Sequence, residues 1–388
     1  MANGGSGRRI AVPAGIGVVI VLALGAIFFW PKRPILLGFA GQLTGKQQEL
    51  GVQERNGVQL AVDDVNSGGG INGRPIKLLI RDDQGSPDAA KAVDKELIDA
   101  GVVAIIGHPT TAQSIAGLTV TNPARVVMIS PTVSSPALSG QDDWFFRVYP
   151  SFRESSQAFA DYILKKGGIT RLALVLDTDN GGYTRTYAKT FQDRYTAGQG
   201  EISSELSFSS KEQSDFSEMI DTLRKSRAEG LLIIASDVDT ALIAQRARIT
   251  GWTVPLFTSA WAQTETLLNN GGRAIEGMRI EQSYALSSQE TRFLEFRKRF
   301  EQRFGVQPSF GAAFGYEAAE VLVAALRQTG GKPAGLKEAL LRVQGFQGLM
   351  DSFSIDSFGD VKRPFYLSEI REGIFVPIAK LDLEPDGL

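Results

Sequence analysis

The sequence of 388 residues contains no cysteine and a single histidine, His108. Without cysteine the protein has no disulfide, no thiol nucleophile and no iron–sulfur cluster, and a single histidine excludes most zinc sites. A Ser-His-Asp triad would have to use His108 itself. We therefore expect a protein that is not an enzyme and that uses neither a metal nor another cofactor.

The chain also lacks an excess of charge of either sign. Lysine and arginine number 41 and aspartate and glutamate number 43, so the formal net charge is −2. Nucleic-acid binders usually carry a strongly basic stripe, and this balance argues against such a partner. Hydrophobic residues make up 43% of the chain, which is enough for a large core, and the length suggests two domains.

Residues 10–30 form an apolar run that follows two arginines. As a helix with a rise of about 1.5 Å per residue, this run is long enough to cross the hydrocarbon core of a bilayer. It ends in two phenylalanines and Trp30, which is more typical of an interfacial anchor than of a signal cleavage site. We expect residues 1–9 in the cytoplasm and residues 10–30 as an inner-membrane anchor, with a cleaved export signal as the alternative. In both cases the remaining chain lies in the bacterial periplasm or at another extracytoplasmic face.

From residue 35 onwards, short apolar runs alternate with longer amphipathic stretches, which predicts parallel sheets flanked by helices. Two such series follow one another, before and after about Ser151, so we expect an α/β fold with two doubly wound lobes. Further strand patterns after residue 276 suggest that the chain crosses between the lobes more than once. The strands of the two series are predicted at 35–39, 76–81, 102–106, 126–129, 172–176, 231–235 and 256–258.

Two hydroxyl-rich turns follow strands of the first series. The first turn, residues 107–112, leads into a helix, where free amides and the helix dipole favour an anion. The second turn, residues 130–136, carries four hydroxyl residues and two prolines. Either turn alone is most simply a helix cap or a Ser/Pro loop, but adjacent parallel strands would place the two side by side. We predict that together they form a carboxylate cradle, in which His108 either donates a hydrogen bond to the ligand or orients the first turn.

The chain resembles the type I periplasmic solute receptors of the branched-chain amino acid (Leu/Ile/Val-binding) group over nearly all of residues 35–380. The resemblance rests on residues 51–66, the run Gly-Gly-Ile-Asn-Gly-Arg-Pro-Ile at 69–76, the pair Asp82-Asp83 and the two turns. It implies two lobes joined by three hinge strands, with the ligand enclosed between them. By this resemblance the lobes are 35–150 with 283–352, and 151–282 with 353–388, and the chain crosses near 148–153, 280–285 and 350–360.

The same resemblance implies a set of site residues. It puts a ligand carboxylate on the hydroxyls of Thr111 and Ser134 and on backbone groups near Thr110 and Thr132. Tyr183 matches an aromatic residue that contacts the ligand from the second lobe.

The main departure from the family pattern concerns an acidic residue that pairs with the ligand's ammonium in amino-acid receptors. Ala260 matches its position, and Asp237 is the acid that could replace it. With Asp237 in that role the ligand is an amino acid; without it, Tyr183 and Trp261 stack on an aromatic or aliphatic acid, or on an amide. Tyr316 matches a further lining aromatic residue. We favour the amino acid as ligand.

Together these features predict an extracytoplasmic solute receptor that binds a small carboxylate between two closing lobes and delivers it to an ABC permease. The alternative is a ligand sensor of the same fold that reports occupancy to another membrane partner. An enzyme is disfavoured, because no nucleophile–base pair can be placed among the carboxylates at the strand ends.

Overall fold

The computed structural model describes residue 1 and residues 32–383. Its first sheet has five parallel strands in the order β2-β1-β3-β4-β5. Two of the three inner strands, β3 and β4, are buried along their whole length, as expected of short apolar runs with helices on both faces. The strands are β1 Ile35–Gly41, β2 Ile76–Asp82, β3 Ala104–Gly107, β4 Val127–Ser130 and β5 Phe145–Arg147.

The second sheet has seven strands in the order β14-β13-β10-β9-β8-β6-β7. Strands β6 to β10 run parallel to one another, whereas β13 and β14 are antiparallel at one edge. A separate hairpin joins β11 to β12. The strands are β6 Arg171–Asp177, β7 Glu201–Phe208, β8 Gly230–Ile234, β9 Leu256–Thr258, β10 Arg279–Gln282, β11 Phe346–Gln347, β12 Ser352–Phe353, β13 Tyr366–Arg371 and β14 Ile374–Lys380.

Helices cover the sheets and pack closely where glycine allows it. Those of the described chain are α1 Gln48–Ser67, α2 Pro87–Asp99, α3 Thr111–Ala124, α4 Arg153–Asp161, α5 Gly181–Ala197, α6 Ser217–Lys225, α7 Asp237–Ile249, α8 Glu265–Gly271, α9 Thr291–Phe304, α10 Phe310–Thr329 and α11 Leu336–Leu341. Helices α1 and α10 cross at Gly57, where a Cβ would lie only 2.0 Å from Ala312 O. The helices that cover the first sheet therefore come from both an early and a late part of the chain.

The chain passes between the two sheets three times. It leaves the first sheet after β5, returns with α9 and α10 after β10, and goes back to the second sheet with β13 and β14. This topology confirms the α/β fold with parallel sheets that the sequence predicts.

Residues 353–361 lie against the first sheet, although the sequence assigned 353–388 to the second lobe. The Arg147 amide donates to Gly359 O at 3.0 Å, and Arg147 Nε lies 2.7 Å from Asp360 Oδ1. Arg147 is fully buried on the edge strand β5 and needs a counter-charge, which Asp360 supplies. The third passage to the second sheet therefore begins after residue 361.

Arg363 lies in this third passage and joins three separate parts of the chain. Its guanidinium donates to Glu317 Oε2 at 2.5 Å, to the carboxylate of Asp351 and to Val148 O at 3.1 Å. It also lies between two phenylalanine rings, 4.8 and 4.5 Å from their centroids. The side chain is fully buried, so these contacts fix the passage to the first lobe.

The membrane anchor predicted at 10–30 lies outside the described residues. Across residues 32–383, no helix has both the length and the apolar composition that crossing a bilayer requires. The described chain starts against the first sheet, where Lys32 Nζ donates to Asn72 O at 2.7 Å.

Candidate ligand-binding site

A cavity lies between the lobes, beyond the carboxyl ends of the strands of both sheets. This is the place where open α/β sheets bind their ligands. The first lobe contributes the two turns, the hinge and the start of two helices, and the second lobe contributes the segments after β6 and β9. The lining residues are Leu50, Pro109, Thr110, Thr111, Thr132, Val133, Ser134, Tyr149, Asn180, Tyr183, Ala260, Trp261 and Phe310.

The two turns of the carboxylate cradle lie side by side and are tied together. Strands β3 and β4 are neighbours, and beyond their ends Ser130 Oγ donates to His108 O and Thr132 Oγ1 to Pro109 O, each at 2.8 Å. The first turn needs glycine at Gly107, which has φ +135° and where a Cβ would lie 2.0 Å from Ala40 O. The arrangement predicted for the turns from strand adjacency is therefore the one observed.

Two cradle hydroxyls are available to a ligand. Thr111 is the first residue of α3, and its Oγ1 is buried without a hydrogen-bond partner in the described structure. The hydroxyl of Ser134, which also faces the cavity, makes no hydrogen bond to any described residue, while the Thr110 hydroxyl contacts the Gln113 side chain. Because an unpaired buried hydroxyl is costly, Thr111 in particular calls for an acceptor in the cavity.

Aromatic rings form the rest of the cavity surface. Tyr183 meets Trp261 edge to face, with ring centroids 5.9 Å apart, and Tyr149 meets Phe310 in the same way at 6.2 Å. Behind Tyr183 lies Phe152, 5.2 Å away. These rings create an apolar chamber opposite the hydroxyls of the cradle, suited to the hydrocarbon part of a small acid.

Tyr316 and Asp237 do not line the cavity, which corrects two expectations drawn from the sequence. Tyr316 lies on the far side of α10, where its hydroxyl donates to Asp64 Oδ2 at 2.8 Å and accepts from Arg299 at 3.0 Å. Asp237 accepts a hydrogen bond of 2.6 Å from the Thr264 hydroxyl. Burial raises the pKa of Asp237 to about 6, and no cation offsets it.

His108 orients the first turn rather than facing the cavity. Its ring is fully buried, with Nδ1 2.6 Å from Asp83 Oδ2 and Nε2 3.2 Å from the Asp94 carboxylate. Burial alone would lower the pKa of His108, but Asp94 and Asp83 outweigh it and raise the pKa to about 10. The two carboxylates therefore favour the charged imidazolium form of His108.

Four lining residues were not identified from the sequence: Leu50, Tyr149, Asn180 and Phe310. Asn180 follows β6 and caps α5, so its position beyond a strand end was the available signal. Tyr149 lies in the first passage between the lobes, and the other two begin helices whose packing brings them to the cleft.

Direct contacts join the lobes at the rim of the cavity. Lys46 Nζ lies 2.5 Å from Asp239 Oδ1, and Gln47 Nε2 donates to Asp177 Oδ2 at 2.9 Å. A third contact runs from Lys211 Nζ to Gly85 O at 2.8 Å. Such contacts require the lobes to be close together, so they belong to a closed arrangement.

Replacing Lys46 with methionine should weaken ligand binding about fivefold to tenfold. The Asp239 carboxylate is fully buried and Lys46 is 31% exposed. Losing this ion pair should disfavour closure by about 1 kcal/mol, because solvent screening at Lys46 limits the strength of the pair. Calorimetric titration measures the affinity, and small-angle scattering reports whether the lobes open. Lys91, whose partner Asp88 lies on its own helix, provides the control K91M, for which no change is expected. Equal affinities for K46M and wild type would contradict this role.

Raising the pH from 6.5 to about 10 should destabilise the fold through His108. The folded protein holds a proton on His108 that the unfolded chain releases, so the stabilisation is present below pH 6.5 and is lost as the pH rises through 10. The loss should be on the order of 3–5 kcal/mol. Guanidinium unfolding at several pH values measures it. H108Q should show a flatter pH dependence than wild type, and parallel profiles would refute the assignment.

Comparisons with known proteins agree with this fold. The family model described as periplasmic binding protein matches residues 34–373. The amino acid binding protein of Pseudomonas aeruginosa is 23% identical over 343 residues, which cover 86% of this chain and 89% of that protein. A leucine-binding protein from Thermotoga maritima has a similar structure, with a TM-score of 0.83, 23% identity and coverage of 91% and 100% of the two chains. An ABC-transporter solute-binding protein from R. palustris in complex with benzoate has a TM-score of 0.82 at 19% identity, with coverage of 90% and 97%.

Proposed function

The chain belongs to the periplasmic binding protein family, and we propose from this premise that it is a receptor for a small carboxylate, which it encloses between its lobes. The observation that carries the proposal is the buried hydroxyl of Thr111, which has no described partner and lines, with Ser134, a cavity whose remaining surface is largely aromatic. Hydrogen bonds from hydroxyls to a carboxylate are charge-assisted and stronger than those to a neutral acceptor.

The ligand that fits this cavity best carries a carboxylate and no ammonium. No acidic or basic side chain is present among the described residues that line it. Ala260 supplies no counter-charge, and Asp237 is bound to Thr264 outside the lining. A buried ammonium without a counter-charge costs several kcal/mol, which favours an aromatic or aliphatic acid.

An amino acid remains the second candidate ligand. It is favoured by the names of relatives, including the amino acid binding protein of Pseudomonas aeruginosa, whereas the benzoate complex of the R. palustris protein favours the first. The two candidates differ in a single chemical group, so they can be separated directly.

Calorimetric titration with L-leucine and 4-methylpentanoate tests the ligand class, because the two differ only in the amino group. We expect 4-methylpentanoate or benzoate to bind at least ~100-fold more tightly than L-leucine. Native mass spectrometry of protein purified without refolding should show a retained acid. Tighter binding of L-leucine would establish the amino acid instead, and absence of binding by all three acids, with no retained solute, would reject the receptor for small carboxylates.

We further propose that residues 35–150 with 283–361 move as one lobe and 151–282 with 362–383 as the other. The Lys46–Asp239 and Gln47–Asp177 contacts support a hinge that closes when the ligand binds. The closed receptor would deliver its ligand to an ABC permease while residues 10–30 keep it at the inner membrane. Crosslinking from residues 10–33 separates the alternatives, because capture of a permease supports transport and capture of a kinase supports sensing.

A further inference from the structure

A buried acid, Glu54, lies directly behind the carboxylate cradle. It belongs to α1, has no exposed surface and contacts Thr132 through Oε1. Its second oxygen, Oε2, has no hydrogen-bond partner among the described residues. Thr132 in turn lines the cavity. Glu54 is thus one side chain removed from the bound carboxylate of the proposed function.

The hydrogen bonds of Thr132 determine which group carries the proton. A threonine hydroxyl has one hydrogen to donate, and Pro109 O, 2.8 Å from Thr132 Oγ1, can only accept. If Thr132 donates to Pro109, its contact with Glu54 needs a hydrogen from the carboxyl group. Both contacts of Thr132 are satisfied together only when Glu54 is protonated, donates to Thr132 and so directs the Thr132 hydroxyl towards Pro109.

The charges around Glu54 favour the same state. Burial raises the pKa of Glu54 well above its usual range, and the hydrogen bond of Thr132 and the charge of His108 oppose this less strongly. His108 is already compensated by Asp83 and Asp94, which lie against its two ring nitrogens. From α10, glycines pack against Glu54 and bring no charge. An ionised Glu54 would therefore be a third buried carboxylate beside one imidazolium.

We propose that Glu54 is a positioning residue that couples carboxylate binding to proton uptake: it is protonated in the loaded receptor, and its ionisation weakens the cradle. An ionised Glu54 would take the hydrogen of Thr132, so the Thr132–Pro109 bond between the two turns would be lost. It would also place a negative charge behind the negative charge of the ligand's carboxylate. In the reverse direction, a carboxylate that enters a receptor with ionised Glu54 draws one proton from solvent onto Glu54 and restores the Thr132–Pro109 hydrogen bond, and no other covalent bond is made or broken. This inference rests on the proposed carboxylate function.

Calorimetry with 4-methylpentanoate and with benzoate between pH 6 and 9 tests the coupling. Titrations in two buffers of different ionisation enthalpy give the number of protons taken up. For wild type we expect uptake towards the upper end of this range, and an affinity that falls with rising pH by at most tenfold per unit.

Two substitutions of Glu54 distinguish the effect of its proton on binding from the effect of its side chain. E54Q places an amide that donates to Thr132 at every pH; it should bind within about threefold of wild type at pH 6, take up no proton and show no pH dependence. E54L has no donor and should bind about tenfold more weakly at pH 6. Thermal unfolding checks that each variant is folded.

Glu281 provides the matched control, because it is a buried glutamate of the second lobe. It faces Ser155, Tyr187 and the Ala260 amide, and burial raises its pKa to about 7. E281Q should keep the proton uptake of wild type. A pH dependence that survives in E54Q or disappears in E281Q would overturn the proposal, as would a flat profile in wild type.

A measurement without ligand keeps this inference distinct from the proposed function. Infrared spectroscopy of the empty receptor at pH 7 should show a protonated-carboxyl carbonyl band that is weaker in E54Q than in wild type, and E281Q identifies the share of the band that belongs to Glu281. If wild type binds no carboxylate at any pH, the proposed function fails. If it binds one and the band is unchanged in E54Q, only the role of Glu54 fails.

Discussion

Replacing Thr111 and Ser134 together with alanine should weaken carboxylate binding about 100- to 10,000-fold. Each hydroxyl can donate one hydrogen bond to the ligand's charge, and a hydrogen bond to a charged group contributes about 1.5–3 kcal/mol. The hydroxyl of Thr111 has no other described partner. Removing it therefore breaks no described hydrogen bond within the protein, and the loss of affinity reports its bond to the ligand. Titration with 4-methylpentanoate or benzoate measures the effect.

Thr121 offers a closely matched control for this experiment. It lies on the same helix, α3, and its Oγ1 is also buried without a described partner, but it is outside the cavity lining. T121A should therefore bind the acid as wild type does. A double variant of Thr111 and Ser134 with unchanged affinity would reject the cradle as the carboxylate site.

Replacing Arg363 with alanine should lower the free energy of unfolding by about 3–5 kcal/mol. The substitution leaves Glu317, which has no exposed surface, as a buried carboxylate without its cation. It also removes the contacts to Asp351 and Val148 O that hold the third passage to the first lobe. Denaturant unfolding followed by circular dichroism measures the change.

The Arg371–Glu369 pair serves as the exposed control, which shows what an ion pair contributes to stability when it is not buried. Arg371 lies 2.7 Å from Glu369, but its side chain is 54% exposed, so R371A should change stability by no more than about 1 kcal/mol. E317Q, which keeps the shape of the Arg363 partner and removes its charge, should fall between the two variants. Similar losses for R363A and R371A would mean that burial does not set the strength of the Arg363 contacts.

The fold could be predicted wherever a strand is buried on both faces. Strands such as β3, β4 and β8 are continuous apolar runs, which a sequence displays directly. Strand β7 was missed because it forms the sheet edge and alternates polar residues with partly buried ones. The hairpin partners β11 and β12 are two residues each, too short for any periodicity.

The part of the candidate site that follows the ends of adjacent strands could be predicted from the sequence. The part that depends on hydrogen-bond partners far away in the chain could not. The two turns follow adjacent strands, so their meeting was visible in the order of elements. Tyr316 and Asp237 were misplaced because their hydrogen-bond partners, Asp64 and Thr264, come from other parts of the chain. Glu54 gave no signal at all, since an acid on an amphipathic helix normally faces solvent.

The three passages of the chain between the sheets impose an order on folding. Helix α10, which covers β3 and β4, begins about 180 residues after the end of β4 and about 200 residues after the end of β3. A chain released from N- to C-terminus must therefore complete β6 to β10 while β3 and β4 still lack the cover of α10 on one face of the first sheet. Fragments that end near residue 150 should expose that apolar face and aggregate, so the two lobes cannot be produced as separate pieces by a single cut.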